Sequence, residues 1–262
     1  MALKRVIGAL LVCAAPLLSP SARAKDVIQD AAIAALPRLT AYHAVYDLSL
    51  AQAKGGNAPA SARGRIAFEF SGSECEGYVE KIRQVTELRS SEGAPQISSL
   101  RSATFEAGDG KNYHFDIEQR ANRDPADHVR GEARKDSGQP LSVRLQNPAP
   151  REANLAAEAL FPSSHLRRLL ASAQAGGHLL EALVYDGAED GRRVFRTTAT
   201  IGNALSTPPA AKAAQVDALK NMRRWPVSIS YFDADTKEDQ TALYVISFEL
   251  YENGVSTALK LD

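Results

Sequence analysis

The stretch YHAVYDLSL, residues 42–50, decides the fold class because apolar and polar side chains alternate along it. Alternation with a period of two places the apolar side chains on one face of an extended strand, with polar ones on the other. Val45 is the exception. The apolar face carries Tyr42, Ala44, Tyr46, Leu48 and Leu50.

The same alternation returns along most of the chain. RIAFEF, residues 65–70, places Ile66, Phe68 and Phe70 on one side, and WPVSISYF, residues 225–232, does so with Val227, Ile229 and Tyr231. No helical run separates most of these segments, so the pattern predicts an antiparallel meander, sandwich or barrel. Further strands are expected near 78–88, 100–107, 111–118, 127–134, 141–146, 179–186 and 192–200.

The end of the sequence predicts a β-hairpin. TALYVISFELYENGVSTALKL, residues 241–261, holds two alternating runs around Asn253-Gly254. Both residues tolerate a positive φ, so we expect a two-residue type I′ turn.

Two helices are predicted. FPSSHLRRLLASAQAGG, residues 161–177, has Ser163 or Ser164 as the capping residue and Gly176-Gly177 as the stop. Residues 26–36 predict a short N-terminal helix that ends before Pro37. The apolar stripe of the first helix comprises Leu166, Leu169, Leu170 and Ala173.

Residues 1–24 have the pattern of a secretory signal peptide. Lys4 and Arg5 precede a short apolar run, and Ala22 and Ala24 form a small-residue cleavage site. We expect a single exported domain, residues 25–262, after cleavage near Ala24. An uncleaved N-terminal anchor is the alternative, whereas Leu11 and Val12 before Cys13 argue against a lipoprotein.

The charge of the mature chain argues against nucleic-acid binding. The whole sequence carries 31 basic and 31 acidic residues, and cleavage removes only Lys4, Arg5 and Arg23. The mature chain is therefore slightly acidic, whereas nucleic-acid binders have a basic excess. No later segment reaches the roughly 20 apolar residues of a membrane span.

No residue pattern predicts an enzyme, a metal or a cofactor. Ser163, Ser164 and His165 are sequence neighbours at a helix start, which a capping role explains. The histidines are scattered, and the acidic stretch 233–240 lacks the glycine of a calcium loop. We expect catalytic, cofactor and metal sites all to be absent.

The basic pairs and the single tryptophan have structural interpretations. Arg167-Arg168, Arg192-Arg193 and Arg223-Arg224 are expected on solvated faces, with attraction to anionic lipid or a partner as the alternative. Trp225 before Pro226 is expected to anchor the start of a strand in the core, with sugar stacking as the alternative.

Cys75, within SGSECEGY, becomes the lone cysteine once residues 1–24 are removed, because Cys13 leaves with them. Exported proteins meet an oxidising compartment, where an unpaired thiol is unusual. The residues alone do not identify a partner for it.

Several segments together resemble the cell envelope integrity protein EipB family of Gram-negative bacteria. The resemblance runs from about Ala41 to the end of the chain, and its segments occur in the family's order. They are HAVYDLSLA (43–51), ARGRIAFEFSGSECEGY (62–78), LRSATFEAGDGKNYHF (100–115), LFPSSHLRRLL (160–170), WPVSISYFD (225–233) and SFELYENGVS (247–256).

The resemblance implies a mainly β fold, with a long antiparallel sheet coiled into an open spiral or incomplete barrel. That outline is similar to LolA and LolB, which hold acyl chains in a half-open barrel. It also implies a periplasmic role without catalysis, in envelope integrity, and cooperation with a protein of tetratricopeptide repeats.

The resemblance further implies that Cys75 forms a disulfide with a second cysteine near the C-terminus. That cysteine has no counterpart before Asp262, so we expect a chain truncated by a final strand or two. A natural short member with a free thiol is the alternative.

The function that follows is that of a non-enzymatic envelope protein. Its concave apolar face is expected to hold a lipid, a lipoprotein or a partner, with inward residues lining either a packed core or a cavity. A ligand-free interaction scaffold is the alternative, and an unrecognised hydrolase is the third. The expected lining is Ile66, Phe68, Phe70, Val227, Ile229 and Tyr231.

Overall fold

The first part of the chain forms an eight-stranded antiparallel sheet in which each strand pairs with the next along the sequence. The computed structural model describes residues 36–53, 59–234 and 241–262. The strands are β1 (Tyr42–Ser49), β2 (Ser61–Ser73), β3 (Gly77–Arg89), β4 (Gln96–Glu106), β5 (Asn112–Ala121), β6 (Asp127–Arg134), β7 (Leu141–Asn147) and β8 (Arg151–Leu155).

A helix, α1 (Pro162–Gln174), separates this sheet from a second one of five strands. The second sheet is also an antiparallel meander, and one 3-10 turn, Lys212–Ala214, lies in the long connection between its second and third strands. Its strands are β9 (Leu179–Val184), β10 (Phe195–Ile201), β11 (Arg224–Asp233), β12 (Tyr244–Tyr251) and β13 (Ser256–Leu261).

The predicted fold class is confirmed: the architecture is mainly β, antiparallel and unclosed, with one α-helix in the described residues. Strand β8, with the sequence REANL, escaped the sequence analysis because it is short and lacks alternating apolar residues. The predicted N-terminal helix falls outside the described residues except for Leu36, which has no regular structure. The domain boundary at residues 24 and 25 likewise lies outside them and stays a prediction.

The core forms where α1 packs between the two sheets. Leu169 and Leu170 are fully buried and contact Phe70 and Tyr78 of the first sheet. The same cluster includes residues of the second sheet, namely Ala199, Ile201, Trp225, Val227, Ile229 and Leu250. Trp225 therefore anchors the start of β11 in the core, as predicted.

A second cluster lies against β5, β6 and β7. The rings of Tyr113 and Phe161 stack with centroids 5.0 Å apart, and Tyr185 meets both at a steep angle. All three rings are buried, so this part of the inward face is closed by aromatic packing.

The two ends of α1 differ in how well the sequence predicts them. At the C-terminus, Gly176 has φ +79°, and the Gly177 amide donates to the Ser172 carbonyl at 2.8 Å. This Schellman motif confirms the predicted stop.

The predicted N-terminal cap is wrong. Phe161 occupies the cap position, and Glu106 at the end of β4 accepts hydrogen bonds from the amides of Ser163 and Ser164 at 2.6 and 2.9 Å. The Ser164 hydroxyl also donates to this carboxylate. A carboxylate from a strand that is distant in sequence therefore caps the helix, whereas the sequence had predicted a local serine as the cap.

The C-terminal hairpin is confirmed, but its turn is not type I′. Gly254 has φ +88°, whereas Asn253 is not in the positive-φ region that a type I′ turn requires there. The Gly254 amide donates to the Tyr251 carbonyl, and the Tyr251 amide to Val255. The turn is therefore longer than a two-residue type I′ turn, and it requires a positive φ at one residue only, Gly254.

The outer strands β1 and β13 approach each other without forming a ladder, so the sheets do not close. The Tyr46 hydroxyl donates to the Ser256 carbonyl at 2.8 Å, and the Thr40 amide donates to the Asn253 carbonyl at 2.9 Å. Leu160, in the connection between β8 and α1, forms a parallel bridge with Val184 at the end of β9.

We expect Glu106→Ala to lower the free energy of unfolding by roughly 2–4 kcal/mol, because it leaves the Ser163 and Ser164 amides of α1 without their acceptor. Urea denaturation measures this loss. Glu181→Ala, at an exposed position of β9, is the control and should change stability by less than about 0.5 kcal/mol. Equal effects of the two substitutions would contradict the capping role of Glu106.

Candidate functional site

The inward face of the first sheet is packed at one end and open at the other. Near α1, inward side chains such as Phe70, Tyr78 and Phe115 are buried. Farther along the same strands, side chains on the same face are only half-buried. We call this region the open half; it consists of Ala44, Tyr46, Leu48, Gly64, Ile66, Ile82, Gln84, Thr86, Leu100, Ser102 and Ile117.

Strand register shows that these side chains share one face. Ile66 lies opposite Tyr46 on one side and Gln84 on the other, and Gln84 lies opposite Leu100. Directly paired residues project to the same side of a sheet. The open half is therefore a continuous, mainly apolar surface with a few small polar groups, which suits an elongated apolar ligand.

The six residues expected to line the inward face divide between these environments. Phe70, Val227 and Ile229 are buried in the core with α1, whereas Ile66, Phe68 and Tyr231 are half-buried. Phe68 and Tyr231 also pack against this core, so five of the six residues belong to the packed environment and Ile66 alone belongs to the open half. Periodicity alone could not separate them, since it does not report what lies opposite each strand.

A cleft of about 520 Å³ lies at the gap between β1 and β13. Its walls come from residues 40–46, from the connection at 211–219 and from residues 253–258, with many alanines among them. Side chains on both faces of β1 contribute, including Tyr42 and Tyr46 from the inward face. The gap in the spiral is thus a second, mainly apolar surface at the edge of β1.

Two carboxyl groups lie inside the spiral, where sequence analysis placed none. Glu80 of β3 sits between Phe70 and Thr104 in the strand register, on the inward face. Burial raises its pKa to about 7, and the nearby carboxylates of Asp186 and Glu106 add to the shift. Protein atoms enclose this side chain, yet part of its surface still reaches solvent.

Asp186, two residues after β9, is the second internal carboxyl. Burial raises its pKa, and its Oδ1 accepts a hydrogen bond from the Ala188 amide at 2.9 Å. The Tyr113 hydroxyl donates to the backbone carbonyl of Asp186 at 3.0 Å. Among the described residues, neither Asp186 nor Glu80 forms a salt bridge.

A cluster of aromatic rings in the second sheet lies near this acidic region. Tyr231 and Tyr244 stack with centroids 4.5 Å apart, and Phe195 meets their edges at 5.9 and 6.1 Å. Burial raises the pKa of both tyrosines, and the negative charge of Asp186 is the next cause. Both phenols therefore stay neutral at ordinary pH and offer ring faces and hydroxyl groups.

The polar residues that suggested chemistry in the sequence do not converge. His165 is buried, its pKa is lowered to about 4 by burial and by Arg168, and its Nε2 lies 3.4 Å from the Thr197 hydroxyl. His128 pairs with Asp116 at 2.8 Å on the outer face. Within the described ranges, no group of three or more histidine, cysteine or acidic residues could hold a metal ion.

The expectation of solvated arginine pairs is wrong at two positions. Arg167 is buried and contacts the carbonyls of Leu36 and Pro37 and the Glu74 carboxylate, the last at 2.7 Å. Arg224 is also buried and pairs with Glu249 at 2.8 Å. Both guanidinium groups are structural, because each is a buried charge that its carboxylate partner and nearby carbonyl groups satisfy.

Cys75 is exposed in the turn between β2 and β3 and is unpaired among the described residues. The disulfide and the truncated end implied by the resemblance both stay predictions. No helix in the described part of the chain is long and apolar enough to cross a membrane.

Comparison with known proteins decides the family, because the EipB-like family model matches residues 33–262, a range that contains every described residue. The chain belongs to the EipB-like family. The cell envelope integrity protein EipB of Brucella abortus (strain 2308) is 32% identical over 232 residues, which cover 88% of this chain and 82% of that protein.

A solved structure supports the fold of this EipB-like chain. The crystal structure of a β-barrel-like protein of a domain of unknown function, from Brucella abortus, superposes with a TM-score of 0.80 at 31% identity. The match covers 86% of this chain and 92% of that one. The family and fold expected from the sequence segments are therefore confirmed.

Sequence reasoning missed Glu80 and Asp186. A signal existed for Glu80, because in YVEKIRQ, residues 78–84, it takes an inward place between Tyr78 and Ile82. An acid at an apolar position of an alternating strand indicates a special environment. Asp186 gave no such signal, since it follows a strand in a glycine-containing loop.

We expect Glu80→Gln to change how stability depends on pH. The folded-state pKa of Glu80, about 7, lies above its usual value of 4.5, so the folded protein holds this proton more tightly than the unfolded chain does. The resulting stabilisation is complete below about pH 4.5 and is lost as the pH rises through about 7. The stability of Glu80→Gln relative to wild type should therefore increase by roughly 1–3 kcal/mol between about pH 4.5 and 8.

Thermal and urea unfolding at several pH values measure this difference. Glu181→Gln, at an exposed position outside the spiral, serves as the control and should follow the wild-type profile. A Glu80→Gln profile that also runs parallel to wild type would show that the Glu80 carboxyl is fully solvated.

Proposed function

We propose that this protein is a non-enzymatic periplasmic protein that maintains the cell envelope by holding the acyl chain of a lipid or lipoprotein against its open half. The observation that carries the proposal is the run of inward side chains that stay half-buried while their strand neighbours are packed. The name of the Brucella relative, a cell envelope integrity protein, supports the envelope role. The signal-peptide pattern of residues 1–24 supports export.

The free energy gained by removing methylene groups from water favours an acyl chain as the ligand of the open half. Each methylene removed from water contributes about 0.8 kcal/mol, so ten of them give roughly 8 kcal/mol before the cost of association is subtracted. The surface from Tyr46 and Leu48 through Ile66, Ile82 and Leu100 crosses four neighbouring strands. At about 4.8 Å between strands, it accommodates a chain of this length.

A catalytic role has little support in the described residues. His165 is buried beside Thr197 and is uncharged at neutral pH, because burial lowers its pKa to about 4. The amides and hydroxyl next to it are engaged with Glu106. This arrangement serves helix capping, and it offers no free nucleophile and base in contact.

A scaffold function is the second candidate, favoured by apolar side chains on the outer face and edge of the first sheet. Val45, Val85 and Ile97 are 64%, 54% and 49% exposed. A tetratricopeptide-repeat protein of the periplasm is the partner that we propose for this surface. Arg168, which is exposed, can be tested by charge reversal, whereas Arg167 is part of the core.

We expect protein purified from periplasm to carry lipid that native mass spectrometry detects, and to bind a fluorescent fatty acid. Ile66→Glu should weaken binding of that probe at least about tenfold, because it places a charge on the open half. Val85→Glu, on the outer face of β3, is the matched control and should bind as wild type does. Circular dichroism verifies that both variants are folded.

Failure to detect lipid, together with no binding of the fluorescent fatty acid, would remove the carrier function. Retention of a repeat-containing partner in a pull-down would then support the scaffold. Equal loss of probe binding in Ile66→Glu and Val85→Glu would place the ligand elsewhere.

A further inference from the structure

Two buried arginines have partners of opposite sign, whereas the half-buried Glu80 and Asp186 have none among the described residues. Arg224 pairs with Glu249 at 2.8 Å, and Arg167 pairs with Glu74 at 2.7 Å. Enclosed carboxylates without a cation are unfavourable, which is why burial raises both pKa values. A cation that reached them would remove that penalty.

Glu106 differs from these two carboxyls although it lies nearby. Its oxygens are occupied by the amides and hydroxyl at the start of α1. Lys135, above the Phe161 ring at 4.7 Å, adds a positive charge near it. Glu106 is therefore satisfied, whereas no hydrogen-bond donor contacts the Glu80 carboxyl in the described residues.

The surroundings of the two carboxyls suit an organic cation better than a metal ion. Tyr231 and Tyr244 present stacked rings with Phe195 at their edges, and the charge of Asp186 acts on both phenols. Aromatic faces next to carboxylates attract ammonium groups. Calcium requires six to eight oxygen ligands, and the described residues hold no acidic or histidine group of three that could bind a metal.

The acidic region lies next to the open half along strand β3. Glu80 and Ile82 are two residues apart on β3 and share its inward face, and Ile82 belongs to the open half. Thr104, opposite Glu80 on β4, is half-buried as well. A ligand that lay along the open half would therefore reach Glu80 at the end nearest the packed core.

We propose that Glu80 and Asp186 bind the protonated amine of an amphiphile whose apolar chain lies along the open half. This proposal rests on the carrier function above and specifies the chemical class of its ligand. The carboxylates neutralise the ammonium group, the rings of Tyr231 and Tyr244 cover it, and the open half takes the chain.

Binding should strengthen as the pH rises through about 7, because Glu80 has a pKa near that value in the empty protein and attracts a cation only when ionised. Other titratable groups around the pair are carboxyls and phenols, which do not supply a competing cation. They are Glu106, Glu189, Tyr113, Tyr185, Tyr231 and Tyr244.

The test compares ligands with the same chain and different head groups. Calorimetric titration of the full mature chain with dodecylamine, dodecanol and laurate, each below its solubility limit or micelle concentration, should give dodecylamine the highest affinity at pH 8. We expect at least about a tenfold preference over dodecanol at pH 8 that shrinks severalfold at about pH 5.5.

Variants locate the site. Glu80→Gln and Asp186→Asn should each lower the dodecylamine affinity about tenfold and leave dodecanol binding unchanged. Dodecanol binding then also shows that a variant is folded. Glu181→Gln, which exchanges an exposed carboxyl outside the spiral, should keep the wild-type preference.

Two sources of the amine can be distinguished. A preference for lysophosphatidylethanolamine over lysophosphatidylglycerol supports the proposal with an aminophospholipid as the ligand. If the protein prefers dodecylamine to dodecanol but does not distinguish the two lysophospholipids, the proposal is supported and the ligand is an amine without a phosphate group.

Equal affinity of the wild type for dodecylamine and dodecanol would overturn the amine site and leave the carrier function intact. Failure of all these ligands to bind would remove the carrier function itself. An amine preference that survives in both Glu80→Gln and Asp186→Asn, or disappears in Glu181→Gln, would overturn the placement of the site.

Discussion

The packing of α1 between two sheets is the interaction on which the rest of the structure depends. Every strand pairs only with its sequence neighbour, so the ladders do not hold the first sheet and the second sheet together. Leu169 and Leu170, both fully buried, join Phe70 and Tyr78 of one sheet to Val227 and Leu250 of the other. Each such leucine contributes on the order of 2 kcal/mol of burial. The Glu106 carboxylate completes this interaction by satisfying the amides at the helix start.

The length of α1 also explains why the spiral has an open half. The helix has 13 residues, and β2 and β3 have 13 residues each. Since a helix rises 1.5 Å per residue and a strand about 3.3 Å, the helix cannot cover the full length of these strands. Inward side chains beyond its reach, such as Ile66 and Ile82, keep part of their surface in contact with solvent. The apolar surface proposed to hold an acyl chain is therefore a direct consequence of how the core is filled.

Most strands could be predicted because alternation is a local property. The limits of β6 were predicted to the residue, and β3, β5 and β7 within a few residues. Contacts between residues distant in sequence could not be predicted in this way. Nothing near Ser163 in the sequence indicates that Glu106 caps α1, and nothing near Arg167 indicates that it binds the carbonyls of Leu36 and Pro37. The hairpin at Asn253-Gly254 was evident, but its turn geometry depends on backbone angles that two residue types do not specify.

The sequence by itself determined that the chain is mainly antiparallel β and which side chains share a face, because both follow from residue order and the period-two geometry of strands. The resemblance of several segments to the EipB family supplied the family and the open spiral. Only the tertiary structure decided which inward positions are packed and which remain open. It alone brought Asp186 near enough to Glu80 for its charge to raise the Glu80 pKa. The reason is that burial and pKa depend on the atoms packed against a side chain from other elements. Alternation indicates the face of the strand on which a side chain lies. It carries no information about which residues of other elements pack against that side chain.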